Sequence, residues 1–208
     1  SGSQVAFSAA VDDARPVLTS VLCRFSSDNL TLVATDGFRL SVKNIKLVNP
    51  VDLKAGDDQL TLLIPAKSLM EVLKLSGSSP KIKIGLTPDR HQVVFVLEDL
   101  ELVSRLIEGD YPNYERIIPE SSSTKIFVNK NELAQAIRLA SVFARQSANI
   151  VRFSVKKSSL ELSANAPQIG QNQISHDARI EGDPLDIAFI YKFISDFLSV
   201  TKRDEIVI

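Results

Sequence analysis

The chain has 208 residues, 44 % hydrophobic and 24 % charged, with 24 Lys and Arg against 25 Asp and Glu. That length suits one large domain or two of roughly 100 residues. The balance excludes collagen-like, low-complexity and disulfide-scaffold classes, and it excludes a global positive field for nucleic acid, so any such contact must come from local clustering. The single cysteine, Cys23, sits in an apolar alternating run and reads as a small buried thiol in a reducing, cytoplasmic setting. No apolar stretch approaches the roughly 20 residues that span a bilayer, so no membrane contact is expected. The opening Ser1-Gly2-Ser3 reads as a cloning remnant rather than a signal peptide.

In chain order, residues 4–10 look like the end of a helix and lead to Arg15-Pro16-Val17-Leu18-Thr19. Apolar and polar residues then alternate over 21–25 and 30–34, which marks strands with one buried face. The short turn between them makes an antiparallel hairpin, because parallel pairing needs a long crossover. In Ala34-Thr35-Asp36-Gly37-Phe38-Arg39-Leu40, the Thr-Asp-Gly triplet reads as a turn joining two strands. An apolar run at 60–65 precedes helical spacing over 65–76, and strands are predicted at 81–86, 93–97 and 100–106. Pro112 fixes a loop, and the polar stretch 119–124 reads as a linker. Beyond it come a strand at 125–128 and a helix over 129–144, opened by Asn129 with Glu132 three residues later. Leu133, Ile137 and Ala140 share one face of that helix. Strands at 151–155 and 160–164, a helix over 191–201 and a last strand at 205–208 complete the chain.

The two halves repeat. Arg24-Phe25-Ser26 and the strand at 30–34 match Arg152-Phe153-Ser154 and the strand at 160–164, with the second turn two residues longer. The helix at 65–73 matches 190–198, so Lys67 pairs with Lys192. The chain therefore holds two copies of one module, 4–119 and 124–208, sheet-rich and antiparallel with paired helices. The first copy lacks an opening strand and part of its helix, and the second lacks closing strands, which leads us to expect a segment of a longer repeat protein.

The residues offer little chemistry. His91 and His176 fall in different modules without metal-ligand spacing, and no Gly-rich phosphate loop or nucleophile elbow occurs, so no metal, cofactor or enzymatic activity is expected. Asp12-Asp13, Asp57-Asp58 and Asp204-Glu205 lie at turns or element ends, where carboxylates cap or solvate. Basic residues recur on helices instead. Lys130, Arg138 and Arg145 stand at spacings of eight and seven, near one helical face, joined by Lys67 with Lys74, by Lys192 with Lys202, and by Arg15. Without interleaved aromatics this pattern fits weak, sequence-independent contact with duplex phosphates rather than stacking on single strands.

Two motifs, 34–40 and Arg105-Leu106-Ile107-Glu108-Gly109-Asp110-Tyr111-Pro112-Asn113-Tyr114-Glu115-Arg116-Ile117-Ile118-Pro119, together with 15–19, resemble the bacterial beta sliding clamp family over essentially 4–208. The resemblance implies an α+β fold of duplicated clamp domains, with curved antiparallel sheets outside and paired helices lining the inner face. It further implies a homodimeric ring around double-stranded DNA and a hydrophobic pocket for short motifs of polymerase subunits, clamp loader and repair proteins. The pocket residues fall on Leu18, Thr35, Gly37, Phe38, Arg39, Leu40, Pro112, Arg116 and Ile117. Three departures follow. Phe38 stands where the family usually has histidine, Gly170-Gln171-Asn172-Gln173 replaces an acidic run, and the family's first domain and closing segment are expected to be missing. The competing expectations are a structural or protein-interaction repeat module that never meets DNA and, more weakly, an enzyme with an unrecognised site.

Overall fold

The computed structural model describes every residue except 1, 13, 52, 54–57, 78–80 and 169. The readings of Ser1, Asp13 and Asp57 lie outside the described residues. The chain divides into two compact units, Ser1–Ile117 and Ile118–Ile208.

The first unit opens with α1 (Ser3–Ala6) and a 3-10 turn (Pro16–Thr19), followed by β1 (Ser20–Phe25), β2 (Asn29–Thr35), β3 (Leu40–Lys46) and β4 (Leu60–Pro65). Then come α2 (Ala66–Leu75), β5 (Lys83–Leu86), β6 (Gln92–Val96), β7 (Glu101–Arg105) and a 3-10 turn (Glu115–Ile117). A four-stranded sheet runs β3-β2-β1-β4 and a three-stranded one β5-β6-β7, all pairings antiparallel. The alternation that marks the strands places Val21, Cys23 and Phe25 on the face that meets the helices, where they pack with Val5, Leu69, Val72 and Phe95 in one core. Burial pushes the Cys23 thiol up to about 12, as expected of an inert core cysteine.

The second unit contains β8 (Thr124–Asn129), α3 (Lys130–Ala144), β9 (Ile150–Val155), β10 (Ser159–Ala166), β11 (Gly170–Asp177), β12 (Arg179–Gly182), β13 (Leu185–Ile190), α4 (Tyr191–Val200) and β14 (Glu205–Val207). Its four-stranded sheet runs β11-β10-β9-β13, the same order as in the first unit, and a small sheet runs β12-β8-β14. Asn129 caps α3 as its sequence predicts, its side-chain oxygen accepting from the backbone N–H of Asn131 at 2.9 Å and of Glu132 at 3.3 Å. Leu133, Ile137 and Ala140 are buried against Val151, Phe153 and Leu162, and Phe153 meets Phe189 edge-on with ring centroids 5.1 Å apart.

The strand register corrects the repeat alignment. Phe25 pairs with Leu30 across the first hairpin and Val155 with Leu160 across the second, so both turns span four residues, 26–29 and 156–159. Each is closed by the same backbone bond, Ser26 N–H to Asn29 C=O and Lys156 N–H to Ser159 C=O, both 2.9 Å. The second turn is not longer. The Arg-Phe-Ser matches are offset by two residues, and structurally Cys23 corresponds to Phe153 and Leu22 to Arg152. A slip of two keeps every side chain on its own face, so the alternating pattern alone could not expose the error.

Candidate functional site

The face of the first four-stranded sheet turned away from its helices carries an apolar row. Val42 pairs with Val33, Val33 with Leu22, and Leu22 with Leu63, all on neighbouring strands. Leu22, Val33 and Leu63 are buried beneath Tyr114, with Val17, Leu40, Ile107 and Tyr111 packed around them. Residues 107–114 thus lie over this face, beginning where the Ile107 N–H donates to the Leu63 carbonyl at 2.9 Å. Gly109 admits the close approach: its φ is +132°, and a Cβ there would stand 2.8 Å from Val17 Cγ2. Val42, at the edge strand, remains 40 % exposed, so the apolar row extends to solvent.

The turn at 36–39 borders the same face. Asp36 Oδ1 accepts from the backbone N–H of Phe38 at 2.9 Å and of Arg39 at 3.0 Å, while the Thr35 hydroxyl donates to the Arg39 carbonyl and accepts from Gly37 N–H. Gly37 has φ +93°, a conformation that favours glycine. Arg39 Nε donates to Asp36 Oδ2 at 3.0 Å, and its NH2 group donates to the Phe7 carbonyl, with the guanidinium over the Phe7 ring. Arg15 donates to the Asp36 carbonyl at 2.9 Å and lies against Gly37.

The predicted pocket residues therefore fall into two kinds. Thr35, Gly37 and Arg39 build the turn, and Leu18 is buried. Phe38 is 82 % exposed and Ile117 64 %, with Pro112 and Arg116 also open to solvent, while Leu40 is half-buried against the apolar cluster. The two segments, about 75 residues apart in sequence, share one apolar cluster through Leu40, Tyr111 and Tyr114. Sequence reading missed those tyrosines, although two aromatics three residues apart in a stretch otherwise polar and Pro-bearing are a usable sign of a segment that must bury something. Burial pushes the Tyr111 hydroxyl up to about 12, only partly offset by the nearby Thr35 backbone, and holds Tyr114 above the usual tyrosine value. Arg24, on the next row of the sheet between Thr31 and Thr61, donates to Glu115 at 2.8 Å and lies 5.6 Å from the centre of the Tyr114 ring. That guanidinium holds the Glu115 carboxyl below the usual carboxylate range.

The basic residues distribute differently from the expected stripes. Lys67 and Lys74 share the exposed face of α2, but Glu71 stands between them and dilutes their field. Arg138 is exposed on α3, and Arg145, just past its end, donates to the Tyr191 hydroxyl at 3.2 Å. Two placements depart from expectation. Lys130 is half-buried and donates to the Thr201 carbonyl at 2.8 Å, which ties α3 to the end of α4. Lys202 follows α4, which ends at Val200, so helical spacing does not align it with the exposed Lys192. Arg15 is exposed and donates to the Asp36 carbonyl at the turn 36–39. Among the described residues no His, Cys, Asp and Glu group could hold a metal ion, and no helix is long and apolar enough to cross a membrane.

Residues 3–113 match the profile of the DNA polymerase III beta subunit, central domain, and 115–208 that of the DNA polymerase III beta subunit, C-terminal domain. The beta sliding clamp of Bacillus subtilis is 35 % identical over 207 residues, and that of Staphylococcus aureus strain Mu50 is 32 % identical over 206. Each alignment covers 98 % of this chain and 53 % of the relative, so the chain spans about half the length of those proteins. The crystal structure of the Bacillus subtilis DNA polymerase sliding clamp superposes with a TM-score of 0.90 at 35 % identity, covering 99 % of this chain and 53 % of that one.

Proposed function

The chain belongs to the DNA polymerase III beta subunit family, and from that premise we propose that it is the part of a sliding clamp that captures partner proteins by short hydrophobic motifs. The observation that carries this reading is that Leu40, next to the turn at 36–39, and residues Ile107, Tyr111 and Tyr114 share one apolar sheet face in the first unit. Phe38, Leu40, Pro112 and Ile117 supply apolar contacts, and Arg116 supplies a cation for a carboxylate or carbonyl. Arg39 orients the turn rather than meeting the peptide, because Asp36 and the Phe7 carbonyl already hold its guanidinium. The reading is non-catalytic: an apolar sheet face bordered by exposed apolar side chains suits binding. Polymerase subunits, clamp loader and repair proteins are the proposed partners, and a homodimeric ring around duplex DNA in the cytoplasm is the proposed assembly.

A labelled peptide with Leu and Phe anchors tests the pocket by fluorescence anisotropy. Binding is expected near micromolar affinity, about −8 kcal/mol, or weaker, with Leu40→Ala and Pro112→Ala weakening it and Lys67→Ala leaving it unchanged. Equal loss from Lys67→Ala contradicts the proposed pocket. For DNA, the exposed Lys67, Lys74, Arg138, Arg145 and Lys192 support weak phosphate contact. Affinity for a duplex should fall as salt rises, with a log-log slope near −0.9 per phosphate neutralised, and Arg138→Glu with Arg145→Glu should reduce it. The competing reading, a structural or protein-interaction repeat module that does not meet DNA, gains from the intervening Glu71 and the internal bond of Lys130. No duplex binding at low salt selects it.

A further inference from the structure

We infer that Arg24 is a positioning residue for the peptide site, a clasp that fastens residues 114–117 onto the sheet and so fixes where Arg116 and Ile117 stand. The inference rests on the peptide-binding reading and adds a residue to it that touches no ligand.

Arg24 projects from the centre of the sheet, one row away from the apolar row that Tyr114 covers. Its guanidinium reaches the segment in two ways. One NH1 hydrogen bond of 2.8 Å goes to Glu115 Oε1, and the guanidinium carbon lies 5.6 Å from the centre of the Tyr114 ring. The two partners are consecutive, and they mark the start of the 3-10 turn Glu115–Ile117, closed by the Ile117 N–H donating to the Tyr114 carbonyl at 3.2 Å. The turn carries Arg116 and Ile117, which are themselves exposed and gain no anchorage from the core. Between the buried Tyr114 and those two side chains, the charge-assisted bond to Glu115 is the link from turn to sheet that the structure shows. Around Arg24 on the sheet stand Thr31 and Thr61, neither of them charged, so Glu115 is the carboxylate that answers it. The second unit carries Ser154 at the equivalent place, which cannot make such a clasp.

An exposed ion pair adds little to global stability, whereas the order of a two-residue anchor is sensitive to the contact that ties its turn to the sheet, because a loosened loop must be re-ordered when the ligand binds. The expected effect therefore appears in binding and local order rather than in unfolding. Peptide affinity, measured by anisotropy with the Leu- and Phe-anchored peptide, should fall about three- to tenfold in Arg24→Glu and in Glu115→Arg. The double variant Arg24→Glu with Glu115→Arg should recover to within about twofold of the parent, a rescue that general destabilisation does not produce. Hydrogen exchange of amides 114–117 should quicken in Arg24→Glu while the amides of β1 and β2 keep their rates. Binding by the parent chain with unchanged affinity and exchange in Arg24→Glu overturns the clasp but leaves the pocket standing. Loss in both single variants without recovery in the double also overturns it, and failure of the parent to bind overturns the pocket and the clasp together.

Discussion

Leu22 and Arg152 occupy the same place in two sheets of identical strand order, and their neighbours differ in the same sense. In the first unit the row across the sheet reads Val42, Val33, Leu22, Leu63, and in the second it reads Gln173, Ser163, Arg152, Ala188. The faces that meet the helices are alike, with Val21, Cys23 and Phe25 buried in one and Val151, Phe153 and Val155 in the other. A duplicated fold thus holds one face constant for stability and leaves the other free to specialise. Where that face is apolar, Tyr111 and Tyr114 cover it and Val42 at the edge strand stays exposed. Where it is polar, Arg152, Gln173 and Ala188 stand in water.

Transplanting one residue breaks the contrast most sharply. Leu22→Arg, the residue of the second unit placed in the first, buries a charge beneath Tyr114 and should cost about 3–5 kcal/mol. Urea unfolding followed by hydrogen exchange of amides in β1 and β2 against those in β9 and β10 should show an early transition confined to the first unit. A cost under about 1 kcal/mol would mean that residues 107–114 swing away easily, and the face would then be open by default.

How far this division was legible in the sequence depends on which face is considered. Alternation disclosed the helix-facing side of β1, β2, β9 and β10, and the Asn129 cap and the apolar spacing of α3 fixed that helix to within a residue. The strands β11 and β12 escaped prediction, because Gly170–Asp177 holds one aliphatic residue, Ile174, and forms a sheet edge where pairing rather than side-chain burial makes the strand. The turn at 36–39 was readable as a turn, but its division of labour was not. Asp36, Thr35 and Arg39 satisfy one another in space, so an arginine read from the sequence as a pocket residue also braces the turn that carries it. Likewise Arg24 faces Glu115 across 91 residues of sequence, a pairing that no local pattern announces.

A smaller effect sharpens the comparison through pH. Tyr111 belongs to the segment that covers this face of the first unit, and its hydroxyl oxygen is removed from solvent without a well-formed hydrogen bond. Replacing it by Phe removes an unpaired buried polar group and should stabilise the first unit by about 1 kcal/mol. The folded state raises this tyrosine from 10.0 to about 12, so the neutral form is favoured on folding. The associated stability is complete below pH 10 and is lost as pH rises through about 12. Alkaline unfolding of the first unit should accordingly be steeper in the parent than in Tyr111→Phe over that window. Equal pH dependence of the two chains would show that the hydroxyl reaches water.

The smallest effect belongs to the reverse transplant, Arg152→Leu. Arg152 is exposed between Ser163 and Ala188, so a leucine there covers nothing and meets no tyrosine. Surface changes of this kind shift stability by at most ~0.5 kcal/mol, and the second unit should unfold at an unchanged urea midpoint. The informative readout is binding, because one apolar residue among Gln173, Ser163 and Ala188 does not recreate the row of four that the first unit presents. The labelled peptide should therefore show one site per chain in Arg152→Leu as in the parent, with the same affinity. A second site appearing on this substitution would mean that the covering segment contributes little and that an apolar sheet face suffices. Specialisation would then lie in a single side chain rather than in the match between a sheet row and the loop that covers it.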